Sequence, residues 1–267
     1  MKVIVCVKQV PDTSGKVAVN EDGTLNRASM PVITNHDDKS AAEAALRLKD
    51  KYGCRVVAVT MGPAAAESML RDLLAMGADE AYLVSDRAFG GSDTFATSQI
   101  VAAAVHRIGV EPDDIILCGR QAIDGDTAQV GPQIAEKLGL PQITYAGDIA
   151  LEDSGAVVVR RMLEDGYMTI RAKTPCLITC IKELNPPRYP SVSGIMECYE
   201  KPLTVLTYED LKDEPLIEPD TIGLKGSPTN IAKSFTPPLK GAGVMLEGAD
   251  RNTVTDLVSR LGAKHII

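Results

Sequence analysis

Short apolar runs alternate with helically spaced stretches along the first two thirds of the chain. Lys2–Val7, Arg55–Thr60, Ala81–Ser85 and Ile115–Cys118 are nearly unbroken apolar segments, each closed by a polar or glycine-bearing loop. Unbroken runs of this length fit strands buried on both faces, as in a parallel sheet. Between them lie helical patterns. Ala45 and Leu48 mark the inner face of a helix through residues 41–51, and Pro63 can occupy the first turn of one that reaches about Met76. A third helix is expected through Gln99–Arg107, and a fourth carries Val130, Ile134 and Leu138 and stops at Gly139. Strand and helix alternating with short links predict a doubly wound, mostly parallel α/β sheet. Further strands are expected at Gln142–Tyr145 and Pro175–Ile181, with a hairpin pairing Val157–Met162 and Tyr167–Arg171 across Glu164–Gly166. Residues 14–31 read as an irregular excursion with a short hairpin through Asn20–Gly23. From Asn185 the prolines concentrate and the periodicity fades. The expected division is an α/β domain over residues 1–184 and an extended C-terminal arm over 185–267. Near the end of that arm, Asp250–Leu261 places Val254, Leu257, Val258 and Leu261 on one stripe, which needs a partner surface.

Two strand-end loops carry candidate chemistry, because ligands of open α/β sheets bind at the carboxyl ends of strands. The first follows Ile115–Cys118. Gly119 and Gly125 let backbone come close to a ligand, and Asp126 or Thr127 can cap the next helix with Gln129 placed for a reciprocal bond. First-turn amides and the positive end of the helix dipole then suit a phosphate. Pro132 either opens the main helix or sits inside it and removes a hydrogen bond. An ordinary crossover with a solvated loop is the bland alternative, and neither a Walker A loop nor a GxGxxG fingerprint is present. The second loop, Gly90-Gly91 followed by Ser92 or Asp93 as a cap, is another phosphate-capable helix start. Lys8, at the end of the first strand, reads as a surface lysine; His36 reads as a solvated loop residue and His106 as structural.

Composition narrows the partners. The 267 residues are 45% hydrophobic but only 4% aromatic, with no Trp, so the core rests on aliphatic side chains. A net charge of −8 gives no basic face for nucleic acid. No run of eighteen apolar residues exists and the chain opens on a strand, so neither membrane insertion nor a signal peptide is expected. Six cysteines without CxxC or zinc-like spacing suit a reduced, cytoplasmic setting, with Cys6 and Cys118 as small core residues. Cys176 and Cys180 face one side of a strand but stand too far apart for a comfortable disulfide. No Ser/His/Asp set, carboxylate pair or metal cluster converges, so no catalytic residue is assigned and hard chemistry falls to a cofactor.

The stretch Gly119–Gly131, Gly-Arg-Gln-Ala-Ile-Asp-Gly-Asp-Thr-Ala-Gln-Val-Gly, resembles the signature of electron-transferring flavoprotein β subunits. Weaker similarity covers nearly the whole chain. The resemblance implies a Rossmann-like, adenine nucleotide α-hydrolase-like fold and a clamp for the phosphates of FAD or AMP. Carried over residue by residue, Gly119, Asp124, Gly125, Asp126, Thr127, Ala128, Gln129 and Val130 form the clamp. Cys6, Asn35, Asp38, Met61, Gln121, Ala122 and Ile123 surround the nucleotide. In the family the loop at Asn35 usually reads Asn-Pro-aromatic-Asp; here His36 and Asp37 replace the middle pair, leaving those two contacts open. Arg87–Ser98 resembles the flavin-bifurcating branch, whose glycine-rich loop serves FAD and NADH, which implicates Arg87, Gly91, Ser92, Thr94 and Thr97. Residues 223–238 resemble a tail of the same branch. Residues 188–196 resemble the loop that docks on a partner dehydrogenase of acyl-CoA or hydroxy-acid type, with Val192 as anchor. The resemblance implies an α subunit, NADH as transient donor, and ferredoxin or flavodoxin as acceptor. A respiratory-type subunit holding only AMP, and a non-redox nucleotide sensor of the same superfamily, are the alternatives.

Overall fold

The computed structural model describes residues 1–12, 31–152, 154–229 and 241–267. The expected hairpin at 20–23 and much of the 223–238 tail lie outside them. In chain order the elements are β1 (Lys2–Cys6), β2 (Gln9–Pro11), β3 (Val32–Thr34), α1 (His36–Tyr52), β4 (Arg55–Met61), α2 (Glu67–Met76), β5 (Glu80–Val84), α3 (Thr94–Ile108), β6 (Ile115–Gly119) and α4 (Val130–Leu138). Then follow β7 (Gln142–Leu151), β8 (Val157–Met162), β9 (Tyr167–Ala172), β10 (Cys176–Cys180), α5 (Val192–Glu197), β11 (Leu203–Leu206), α6 (Tyr208–Leu211), α7 (Gly223–Gly226) and α8 (Arg251–Ala263).

Among the described residues one nine-stranded sheet runs in the order β11-β5-β4-β1-β6-β10-β7-β8-β9, and β2 and β3 form a separate antiparallel ribbon. The pairs from β11 to β7 are parallel, while β8 and β9 form the antiparallel hairpin expected from sequence. The apolar runs become strands covered on both sides. Val3, Val5, Ile115 and Leu117 face the layer of α1 and α2, whereas Ile4, Cys6, Ile116 and Cys118 face α3 and α4. Helices thus change face between β1 and β6, where an α/β sheet forms its ligand crevice. Register aligns the two strand ends, since Cys6 pairs beside Cys118. At the opposite edge the buried Asp114 accepts from the Lys2 amide (2.6 Å) and pairs with its ammonium (3.0 Å).

Several boundaries differ from the sequence reading. α1 begins at His36, five residues before Ala41, so the former loop residues Asp37, Asp38 and Ser40 are buried in its first turns while His36 stays exposed. α3 begins at Thr94, because Asp93 supplies the cap ahead of the apolar stripe. α4 begins only at Val130 with Gln129 as N-cap and no side-chain cap bond; neither Asp126 nor Thr127 caps it. Pro132 is then the third helical residue, where its missing N–H costs no helical bond. β7 runs on to Leu151 through an irregularity where Tyr145 adopts φ 60°.

The arm's first part lies on the domain. β11 pairs with β5 and extends the sheet, and Leu211, Ile217 and Ile222 join the core beside α3. Arg188 donates to Glu43 (2.9 Å) and Asp50 (2.6 Å) on α1. Lys201 donates to the carbonyls of Leu74 and Ala78, each at 2.8 Å. α8 is different: Asp250 caps it, yet no side chain of the helix is buried.

Candidate nucleotide site

The crevice between β1 and β6 is framed by α1. Asp38 is buried there, its Oδ1 accepting from the Gly119 amide (2.7 Å) and its Oδ2 from the Lys8 amide (2.9 Å). The carboxylate thereby ties the ends of the two strands to each other. Burial pushes the Asp38 carboxyl up to about 7, against the pull of those two amides and Asn35. Gly119 is needed here, because a Cβ would run into the Asp38 carboxylate and the backbone of Asp37. One turn earlier, Asn35 is fully buried; its Nδ2 donates to the Gln121 carbonyl (2.7 Å) and its Oδ1 accepts from the Ile123 amide (3.2 Å). Asn35 and Asp38 are therefore consumed within the chain, where they set the path of residues 119–123.

The loop that follows is built to stand open. Asp126 and Ala128 take φ of 50° and 53°, in the left-handed region that non-glycine residues rarely enter. Lys8 Nζ reaches Asp124 (2.8 Å), and Gln121 Nε2 donates to Asp126 (2.7 Å), so the loop's two carboxylates are engaged. Gly125, Asp126 and Thr127 are exposed. The N-terminus of α4 behind them has no side-chain cap, leaving early amides for an external acceptor. In the same turn Gln133 Oε1 is buried with no hydrogen-bond partner among the described residues. Gly131 lets α4 lie on the sheet, since a Cβ there would press on Cys118 Sγ and Thr179. An uncapped helix, an exposed hydroxyl at Thr127 and an Asp124 carboxylate neutralised by Lys8 suit the phosphate of a nucleotide, and these residues fit that group.

Cys6 is buried at the end of β1 and Met61 half-buried at the end of β4, both on the same sheet edge. Burial pushes the Cys6 thiol up to about 12 and raises Cys118 and Cys180 as well, so none is a ready nucleophile. All six cysteines are free and buried, and no cluster fit for a metal exists among the described residues.

The glycine-rich loop is built in the opposite way. Asp93 caps α3 through the Ala96 amide (3.0 Å). Gly91 has φ 76°, and a Cβ there would meet Leu224 at 2.8 Å. Ser92 Oγ accepts from the Gly223 amide (3.1 Å). A side chain at Gly91 therefore meets this chain's own arm before any ligand. Arg87 is exposed in a short turn, and Thr97 is half-buried in α3. Only Thr94 reaches the central loop, donating to Gln129 Oε1 at 3.1 Å.

Three residues passed over in the sequence reading belong to the frame. Lys8 is more than a surface lysine, through its ion pair with Asp124. Arg120 lies 3.3 Å from the buried Asp37 and over the Tyr145 ring at 5.7 Å. Asp37 has its pKa raised by burial, in part offset by Arg120. The usable signal was Arg120 inside the recognised motif, together with an acid, Asp37, at one of the two positions that depart from the family pattern. Away from the crevice, residues 188–196 expose Tyr189, Val192, Ile195 and Met196. His106 pairs with Glu214 at 2.6 Å.

The family model for the electron transfer flavoprotein domain matches residues 22–211. The acryloyl-CoA reductase electron transfer subunit gamma of Anaerotignum propionicum is 67% identical over all of both chains. The caffeyl-CoA reductase-Etf complex subunit CarD of Acetobacterium woodii is 53% identical, and the electron transfer flavoprotein subunit beta of Clostridium acetobutylicum 46%, again across both full lengths. With a doubly wound sheet, a family match over most of its length and relatives similar across both full lengths, this chain belongs to the electron transfer flavoprotein family.

Proposed function

We propose that this chain is the β subunit of a heterodimeric, cytoplasmic electron transfer flavoprotein that holds FAD at the β1/β6 crevice. The observation that carries the reading is the uncapped start of α4 beneath the exposed loop 124–128, on the edge where Asn35 and Asp38 fix the backbone. In this reading the early amides of α4 and Thr127 hold phosphate, while the ends of β1 and β4 flank the adenosine. FAD bound there supplies hydride acceptance from NADH and release of single electrons, a capacity that belongs to the αβ complex. Electrons leave towards a low-potential acceptor such as ferredoxin or flavodoxin, and through an α-subunit flavin towards a dehydrogenase of acyl-CoA type docked on residues 188–196. Full-length similarity to electron-transfer subunits of two acyl-CoA reductases supports this choice of partner. The closure of the glycine-rich loop by Gly223 and Leu224 favours a second reading, in which this subunit holds only AMP. Cofactor extraction from the co-expressed αβ complex, with a stopped-flow NADH titration, separates the two. Two FAD with rapid NADH reduction is expected; one FAD and one AMP without reduction overturns the FAD reading.

A further inference from the structure

The arm's hold on the glycine-rich loop continues into the phosphate loop. Leu224 N donates to the Gly90 carbonyl (2.9 Å), and Asp93 is gripped at both ends: its amide donates to Ser227 Oγ (2.8 Å) and its Oδ2 accepts from the Thr229 amide (2.9 Å). Ser227 is buried, and its own hydroxyl hydrogen goes to the Gly223 carbonyl at 2.7 Å, which turns the oxygen's acceptor side towards Asp93. Asp93 then caps α3, whose first residue Thr94 donates to Gln129, the N-cap residue of α4. The next residue, Phe95, lies under the Lys137 ammonium of α4 at 4.1 Å. Polar contacts thus run from the arm through Asp93 and Thr94 to the residue between Ala128 and Val130.

We infer that Ser227 is a positioning residue for the phosphate loop, acting from the arm through Asp93, Thr94 and Gln129. The inference rests on the proposed nucleotide-binding reading. Seating Ser227 fixes the first turn of α3, and Thr94 then holds the Gln129 side chain, so the flanking amides stay aimed into the crevice. Linkage makes the effect mutual: a nucleotide that needs the loop in this place also tightens the clasp of the arm.

The test uses the full-length protein, with AMP as the probe in calorimetric titrations and amide exchange over residues 122–130 as an independent readout. Ser227→Ala and Thr94→Val should each weaken AMP binding about fivefold, the factor expected for one ordinary hydrogen bond. The double variant should be no weaker than the worse single, because both break one chain of contacts. Ser227→Thr should restore affinity, and exchange at 122–130 should quicken in both single variants even without AMP. Should Ser227→Ala fail to fold, Thr229→Pro removes the other grip on Asp93 and is held to the same outcomes. Faster exchange confined to 90–93 and 223–229 with AMP affinity unchanged overturns the inference, as does a double variant whose loss multiplies to about 25-fold. If the wild type does not bind AMP but exchange at 122–130 still follows Ser227, the nucleotide reading falls and the coupling stands.

Discussion

The two glycine-bearing loops at the carboxyl edge share a pattern of strand, glycine, polar residues and helix, yet one is open and the other shut. Ahead of α3 stands Ser92-Asp93, and Asp93 folds back on the Ala96 amide. Ahead of α4 stands Gln129, a poor capping residue, so that helix start keeps its amides. The arm widens the contrast, since it occupies Gly90, Ser92 and Asp93 while, among the described residues, it makes no such contact with residues 124–128. Glycine content alone does not mark an anion site; what matters is whether the chain has already spent the helix's first donors on itself.

The comparison can be broken most forcefully at its root. Gly119→Ala forces a methyl group against Asp38 and should cost about 3 kcal/mol or more and empty the proposed nucleotide site. Gly125→Ala, whose Cβ meets nothing within 4 Å, should stay within about 0.5 kcal/mol in the same urea titration. Equal losses from both would mean that the frame around Asp38 is soft.

Asp38 offers a pH test of that frame. Its carboxyl titrates at about 7 in the fold, against about 3.9 in an unfolded chain. The unfolded state therefore ionises first, and this group increasingly disfavours the fold as pH rises from about 4 to about 7. Lowering the pH from roughly 8 to roughly 5.5 should then add about 2 kcal/mol to unfolding stability through Asp38. Asp38→Asn should remove that increment, and an unchanged pH slope in the variant would refute the assignment.

Gly91→Val probes the shut loop. A left-handed φ and the contact with Leu224 should together cost about 1–3 kcal/mol and loosen the arm, visible as faster amide exchange at 223–229. Slower hydride uptake from NADH with stability intact would instead reinstate this loop as a dinucleotide path. The smallest effect belongs to the open loop: Thr127→Val should leave stability within a few tenths of a kcal/mol. Its AMP affinity should fall about fivefold, as for one lost hydrogen bond.

Much of this was legible in the chain. Unbroken apolar runs became the parallel strands, Glu164–Gly166 became the hairpin turn, and Gly139 ends α4 in the left-handed conformation as a glycine C-cap should. Helix starts were read late where polar residues are buried: Asp37, Asp38 and Ser40 look like loop until their partners Arg120, Gly119 and Asn185 are in place. The distinction between the two loops was hidden for the same reason. Ser227 and Thr229 lie over 130 residues from Asp93, and no local pattern announces a bond at that range. β11 was lost among prolines because four residues at an edge carry too little periodicity to register.

The spatial order of the sheet differs from its order of synthesis. β10 lies between β6 and β7 but is translated after the β8–β9 hairpin, and β11, which covers β5, is translated later still. On the ribosome, β6 and β5 therefore wait with open backbone edges until distant segments emerge. Such edges recruit strands from neighbouring nascent chains. Ribosome stalling before residue 176 should yield an aggregation-prone fragment, whereas release after residue 206 leaves every strand of the parallel array with its neighbours.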